Sequence, residues 1–159
     1  MTTIKARPLT PDAFAPFGDV LDTQGVPDRL INAGLCGRYH DRARLDFGDG
    51  RAGISLFLAE PRALPYRLDL LELHPVGSQA FLPLHENPWL VIVAARGATP
   101  GPIHAFRAAP GQGVNLHRGT WHGVLTPLHE PGLFAVVDRI GPGANLVEHP
   151  LDQPVTVTE

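Results

Sequence analysis

Two reactive residue types are nearly missing from this chain. Its one cysteine, Cys36, stands in Gly34-Leu35-Cys36-Gly37 with no nucleophile signature around it, and its one lysine is Lys5, near the N-terminus. A single cysteine excludes an internal disulfide framework, and this one reads as a small buried thiol. Schiff-base chemistry needs a desolvated lysine in a pocket, and Lys5 is badly placed for that. Charged residues are sparse at 18%, and the net charge is −3. That balance offers nothing to nucleic acid or to an anionic membrane. Long hydrophobic runs are absent too, because the greasiest stretch, Leu90–Ala95, is strand-sized and not membrane-sized. The opening Met1-Thr2-Thr3-Ile4-Lys5 has no apolar leader, so cytoplasm is the expected compartment. No Ser-His-Asp order or G-x-S-x-G elbow is present. Gly111-Gln112-Gly113 does not open a helix, so it is no phosphate loop, and no organic cofactor is expected.

Turn formers are plentiful, with seventeen Gly and seventeen Pro. They punctuate the chain roughly every eight to twelve residues, and short Val-, Ile-, Leu- and Phe-rich runs lie between them, as in a sandwich or barrel. The expected strands are Ile4–Pro8, Asp19–Asp22, Arg29–Ala33, Gly53–Leu58, Tyr66–Glu72, Gln79–Pro83, Leu90–Ala95, Ala105–Arg107, Val114–His117, Gly123–Leu125, Leu133–Ile140 and Pro154–Thr158. Leu90–Ala95 has no polar face and predicts a central strand buried on both sides, and Phe134-Ala135-Val136-Val137 reads similarly. Tyr66, Leu68 and Leu70 should share one face. One short helix is expected, with Thr10 as N-cap and Pro11 in the first helical position. Pro16 and Gly18 end it. The expectation is one all-β domain with a minor helix, spanning residues 1–159.

Chemistry-bearing residues gather in a few segments. Gly111–His122 sets His117, Arg118, Trp121 and His122 around glycine turns, and His74-Pro75-Val76-Gly77-Ser78-Gln79 precedes another apolar run. Imidazoles and a carboxamide on adjacent strands can hold a divalent metal. No H-x-H pair or HExxH is present, however. His117 and His122, an odd number of residues apart, point to opposite faces of a regular strand unless the Gly119 turn intervenes. Arginine recognises carboxylates with a forked geometry, so a pocket arginine such as Arg38, Arg118 or Arg139 implies an organic acid. Arg139, ending an apolar strand, is hardest to read as surface charge. Arg38-Tyr39-His40-Asp41 could position a proton donor or cap a turn.

Four segments, Arg38–Asp41, His74–Pro83, Gly113–His122 and Asp138-Arg139, together with the opening Pro8–Val20, resemble the ureidoglycolate lyase family, formerly ureidoglycolate hydrolase. The likeness covers nearly the whole chain in order. It implies a cupin-like β-barrel (a double-stranded β-helix), a homodimer, and a divalent metal, nickel in particular. It also implies cleavage of (S)-ureidoglycolate to glyoxylate and urea, late in allantoin degradation. That substrate is a carbinolamine. A base must take its hydroxyl proton while an acid protonates the departing nitrogen, and histidine suits both tasks. On this reading His117 and His122 form the acid–base pair. His74 and Gln79 hold the ureido group or, with His122, a metal. Arg139 or Arg118 binds the carboxylate, with Arg38 and Tyr39 also on the substrate. Two other readings are a metal-dependent cupin isomerase or dioxygenase and a non-catalytic small-acid-binding cupin.

Overall fold

The computed structural model describes residues 2–159, and Met1 lies outside them. Among the described residues there are fifteen strands and one turn of helix, numbered here in chain order. The first sheet runs β1 (Thr2–Lys5), β15 (Val147–Thr158), β7 (Tyr66–Leu73), β12 (Trp121–His122), β9 (Trp89–Ala94), β10 (Ile103–Ala108) and β2 (Arg7–Pro8). β13 (Thr126–Pro127) also pairs with β9. The second sheet runs β3 (Gly18–Leu21), β11 (Gly113–Leu116), β8 (Gln79–Pro83), β14 (Leu133–Ile140) and β6 (Arg51–Leu58). β4 (Arg29–Ile31) and β5 (Cys36–Arg38) form a separate hairpin. The N-terminal segment closes the first sheet, since β1 adds parallel to β15 and β2 parallel to β10. The result is an all-β, cupin-like barrel: the short runs predict a sandwich or barrel, and the family resemblance implies this type. No helix among the described residues is long and apolar enough to cross a membrane.

Strand β9 is buried along its whole length, as its unbroken apolar run requires. Trp89, Val91 and Val93 join Phe81, Val114, Leu116, Phe134 and Val136 in a core between the sheets. Leu90, Ile92 and Ala94 face the other way, into a second core with Leu68, Leu71, Trp121 and Val157. Each such buried side chain contributes roughly 1.5–3 kcal/mol, so β9 stabilises both layers at once. The helix α1 (Pro11–Phe14) starts as expected, with Thr10 Oγ1 accepting the Ala13 N–H, and buries Phe14 in the first core.

Four expectations need correction. The stretch Phe134–Val137 is not buried on both sides: only Phe134 and Val136 are buried, and Ala135 and Val137 face outward. In β7 the buried residues are Leu68, then Leu71 and Leu73, so Tyr66, Leu68 and Leu70 do not form one uniformly buried row. Opposite this stretch β15 is irregular, with Pro150 paired to Leu70 and Val155 to Leu68. Residues 123–125 link β12 to β13 and are not themselves a strand, although the Gly123 N–H still donates to Ile92 O at 2.8 Å. Cys36, finally, is half-buried on the β4–β5 hairpin and not a core thiol.

Candidate active site

Register brings the first group of polar side chains together. On neighbouring antiparallel strands His122 stands directly opposite Glu72, and directly opposed residues share a face. His74 follows two residues after Glu72 and projects the same way. The ligating atoms of Glu72, His74 and His122 lie within 4.8 Å of one another. From the second sheet, Gln79 and Asp138 are register partners. Gln79 Nε2 donates to Asp138 Oδ2 at 3.2 Å, and its Oε1 lies 2.9 Å from His74 Nε2. His74 Nδ1 is 2.6 Å from the Asn145 carbonyl, and Asn145 Oδ1 accepts the Val76 N–H at 3.0 Å. A carbonyl only accepts, and Gln79 presents its oxygen once its amino group has turned to the carboxylate. The His74 Nδ1–H therefore donates to the Asn145 carbonyl, and Nε2 faces the Gln79 oxygen. The amide orientation is assigned by that network of partners.

His122 is the contrasting imidazole. Burial pushes its pKa down to about 4, with the neighbouring His74 adding to the effect, so the ring is neutral near pH 7. Nδ1 donates to the Gly123 carbonyl at 3.0 Å, which leaves a lone pair on Nε2. That Nε2 is buried and has no partner. The ring also borders a small pocket of about 20 Å³ whose other walls, among them Phe81, Trp89 and Leu125, are apolar. Glu72 Oε1 is 4.0 Å from His122 Nδ1. Burial raises the Glu72 pKa, opposed by the charge of His74 and reinforced by Glu148.

Most other expected site residues lie elsewhere. Val114 and Leu116 point into the inter-sheet core, so Asn115 between them points away. On that far side His117 Nε2 meets Asp19 Oδ2 at 2.9 Å, and Asn115 Nδ2 and the Arg44 N–H donate to the same carboxylate. Burial works against that carboxylate, but the donors Asn115, Arg44 and His117 outweigh it and hold its pKa below the usual range. Gly119 does adopt a left-handed turn, φ +77°. The turn carries His122 into the barrel and leaves His117 outside, so the structure does not bring that pair together. The same alternation on β14 sends Asp138 inward and Arg139 outward. Arg118 sits on the β11–β12 turn beside the His74 loop, with Nη2 2.8 Å from Asp46 Oδ1, and its side chain is 41% exposed. Arg38 is exposed on the β4–β5 hairpin. Tyr39 lines a groove of about 460 Å³ with Arg42, Leu45, Leu82 and Val137, on the outer face of the second sheet. Neither joins the His74–His122 cluster. His85 is partly buried, edge-on to Phe134 at 4.8 Å.

Compared with known proteins, residues 1–158 match the family described as ureidoglycolate lyase. The chain belongs to the ureidoglycolate lyase family. A ureidoglycolate lyase of Rhodobacter capsulatus is 62% identical over 99% of both chains. One from Mesorhizobium japonicum is 52% identical over 93% of both, and ureidoglycolate lyase 2 of Rhizobium meliloti is 47% identical over 99% of this chain and 98% of its own. The protein is thus an enzyme, and neither the isomerase or dioxygenase reading nor the non-catalytic one is favoured.

Within this ureidoglycolate lyase family member, sequence reasoning missed Glu72 and Asn145. The i, i+2 spacing of Glu72 and His74 at the end of a strand was the available signal. Asn145 acts mainly through its backbone carbonyl, which no side-chain pattern reveals. The donor set of Glu72, His74 and His122 suits a divalent ion in type, and His122 Nε2 lacks any other partner. Ligand atoms bonded at about 2.0–2.2 Å lie at most about 4.4 Å apart, so the spread of donor atoms needs only a few tenths of an ångström of closure. Gln79 Oε1 is already at a spacing from His74 Nε2 that two adjacent ligands could have. The residues fit a metal.

Proposed function

We propose that the protein cleaves (S)-ureidoglycolate to glyoxylate and urea, with His122 as base and His74 as acid. The observation that carries this reading is the neutral, buried His122 whose Nε2 has no partner in the protein. The substrate hydroxyl supplies the missing donor. As His122 takes the hydroxyl proton, the oxygen's electrons form the aldehyde C=O and the carbon–nitrogen bond breaks. The departing nitrogen receives a proton from His74 and leaves as urea. One proton is taken and one is given, and the two rings, with centroids 5.1 Å apart, can restore each other's starting state. Gln79, turned by Asp138, holds the His74 ring and offers its oxygen to the ureido N–H groups. Arg118 is the carboxylate anchor, because its side chain is 41% exposed beside the His74 loop. Glyoxylate release should exceed the spontaneous decay of a no-enzyme blank. In the same assay Arg118→Ala should raise KM about 10- to 100-fold, the worth of a charge-assisted hydrogen bond of about 1.5–3 kcal/mol. A wild type that matches the blank removes the lyase reading, and an unchanged KM removes the role of Arg118.

The three-residue donor cluster favours a second reading, in which Glu72, His74, Gln79 and His122 hold a divalent metal, nickel by resemblance. Such an ion, when bound, would polarise the substrate's hydroxyl and carboxylate oxygens. Chelation of protein purified without a histidine tag separates the two. Proton transfer by the histidines alone keeps its rate, whereas a metal-dependent site loses activity and recovers it with nickel.

The second copy of a homodimer belongs, on our reading, on the outer face of the second sheet. Strand β6 is an open edge. From Ala52 to Leu58 it has no charge or proline, and so none of the usual protection against edge pairing. Ile54, Leu56 and Leu58 are 75, 68 and 75% exposed and lie across from Val137, Ala135 and Leu133 in continuous apolar rows. The β4–β5 hairpin adds exposed Leu30 and Leu35. Light scattering should give a dimer mass, and Leu56→Glu should give a folded monomer. A monomeric wild type would refute the assignment.

A further inference from the structure

We propose that Arg139 is a positioning residue for His74, acting from the outer face of the second sheet, and not a ligand of the substrate. The proposal rests on the role given above to His74. Arg139 ends β14 with its side chain only 3% exposed, and three loops meet on it. From the first loop, Asp49 Oδ1 accepts from Nη2 at 2.6 Å, and a Cβ on Gly50 would come within 2.7 Å of the Arg139 Cγ. The second loop leads from His74 to Gln79, and at its Gly77 a Cβ would stand 2.9 Å from the Arg139 Cβ. The third follows β14. Its Pro142 carbonyl accepts from Nη2 at 3.1 Å, and a Cβ on Gly141 would lie 2.9 Å from the guanidinium carbon. That third loop continues to Asn145, whose carbonyl takes the His74 Nδ1–H.

One buried arginine therefore joins the two loops: its stem packs against the loop that presents His74, and its guanidinium bonds the loop that leads to Asn145. Glycine at positions 50, 77 and 141 lets the three backbones close on it. Arg139 is also poorly placed to receive a substrate carboxylate. Both forks of a guanidinium that can grip a carboxylate bidentately through Nη2 share that nitrogen, and Asp49 and Pro142 already use it. Nε and Nη1 are buried with no partner. Neither faces the solvent from which a substrate would arrive.

Arg139→Lys keeps the charge but loses the planar fork that serves two acceptors at once. Steady-state glyoxylate release should show kcat lower by about 10- to 100-fold, the cost of a misplaced catalytic group, with KM within about threefold of wild type. The short His74–Asn145 hydrogen bond gives a second readout. The His74 ring-proton resonance should weaken or shift in Arg139→Lys, whereas a substrate ligand would leave it untouched. If Arg139→Lys fails to fold, Gly77→Ala carries the same test, because its methyl pushes on the arginine stem without removing the cation. A KM raised tenfold or more with kcat unchanged would make Arg139 a carboxylate ligand and overturn the proposal. An unchanged kcat together with an unchanged ring resonance would also overturn it. His74→Ala tests the underlying reading separately: full activity there removes His74 as the acid, while the resonance in Arg139→Lys still reports whether the ring is positioned from the outer face.

Discussion

His122→Ala should lower kcat by about 10²- to 10⁴-fold, the usual contribution of a positioned base, while the protein still folds. Glyoxylate release then approaches the no-enzyme blank. A second, independent signature comes from linkage. The folded-state pKa of His122 is about 4, below its ordinary value of 6.5, because the ring is buried. Between those two values the unfolded chain binds a proton that the folded chain refuses, so His122 costs stability as pH falls from 6.5 toward 4. The full cost is on the order of 3 kcal/mol, reached below about pH 4. Removing the imidazole removes that penalty. Denaturation curves at pH 7 and pH 5 should therefore lie closer together for His122→Ala than for wild type. If the variant keeps wild-type kcat, His122 is not the base, whatever its protonation.

Phe134→Ala should cost about 3–5 kcal/mol of stability, among the largest losses that one core truncation causes. Phe134 is fully buried, and its ring meets the Trp89 ring edge-on at 4.9 Å and that of His85 at 4.8 Å. It stands where the two sheets face each other, so neither sheet can close on the space it leaves without disturbing the other. For a chain of this size the loss corresponds to a fall in Tm of roughly 10 °C. A calorimetric scan that finds a shift of a degree or two would mean that the layers slide to fill the gap. Asp138 lies four residues along the same strand, so a looser β14 should also release the Gln79 amide.

Much of the fold was legible because β-rich sequence with regular turns leaves few alternatives. Gln79–Pro83 and Leu133–Ile140 have the expected boundaries, and β9 is buried on both faces as its apolar run requires. Short elements were harder. Cys36-Gly37-Arg38 carries a glycine and no apolar pair, so nothing local marks it as a strand, and only pairing with Arg29–Ile31 makes it one. The candidate site was legible as a set of segments but not as a geometry. His74, Gln79 and His122 do come together, and the alternation of strand faces explains why their sequence neighbours do not. Asp138 and Arg139 are adjacent in the chain and on opposite sides of the second sheet. His117 and His122 part in the same way across the Gly119 turn. Parity along a strand was readable from the sequence, but which face lines the barrel depends on partners some sixty residues away.

The closing of the first sheet has a consequence for how the protein is made. Thr2 pairs with Val155, and Lys5 with Thr158. Strand β1 thus leaves the ribosome well before its partner β15, and the loop to be closed runs from Lys5 to Val155. Its entropy must be lost before any ladder bond rewards it. Throughout synthesis the nascent barrel stays unsealed, with Ile4 and its neighbours exposed to chaperones and proteases. Shielding of β1 therefore waits on β15, and resistance to digestion at residues 2–5 is a direct clock for it.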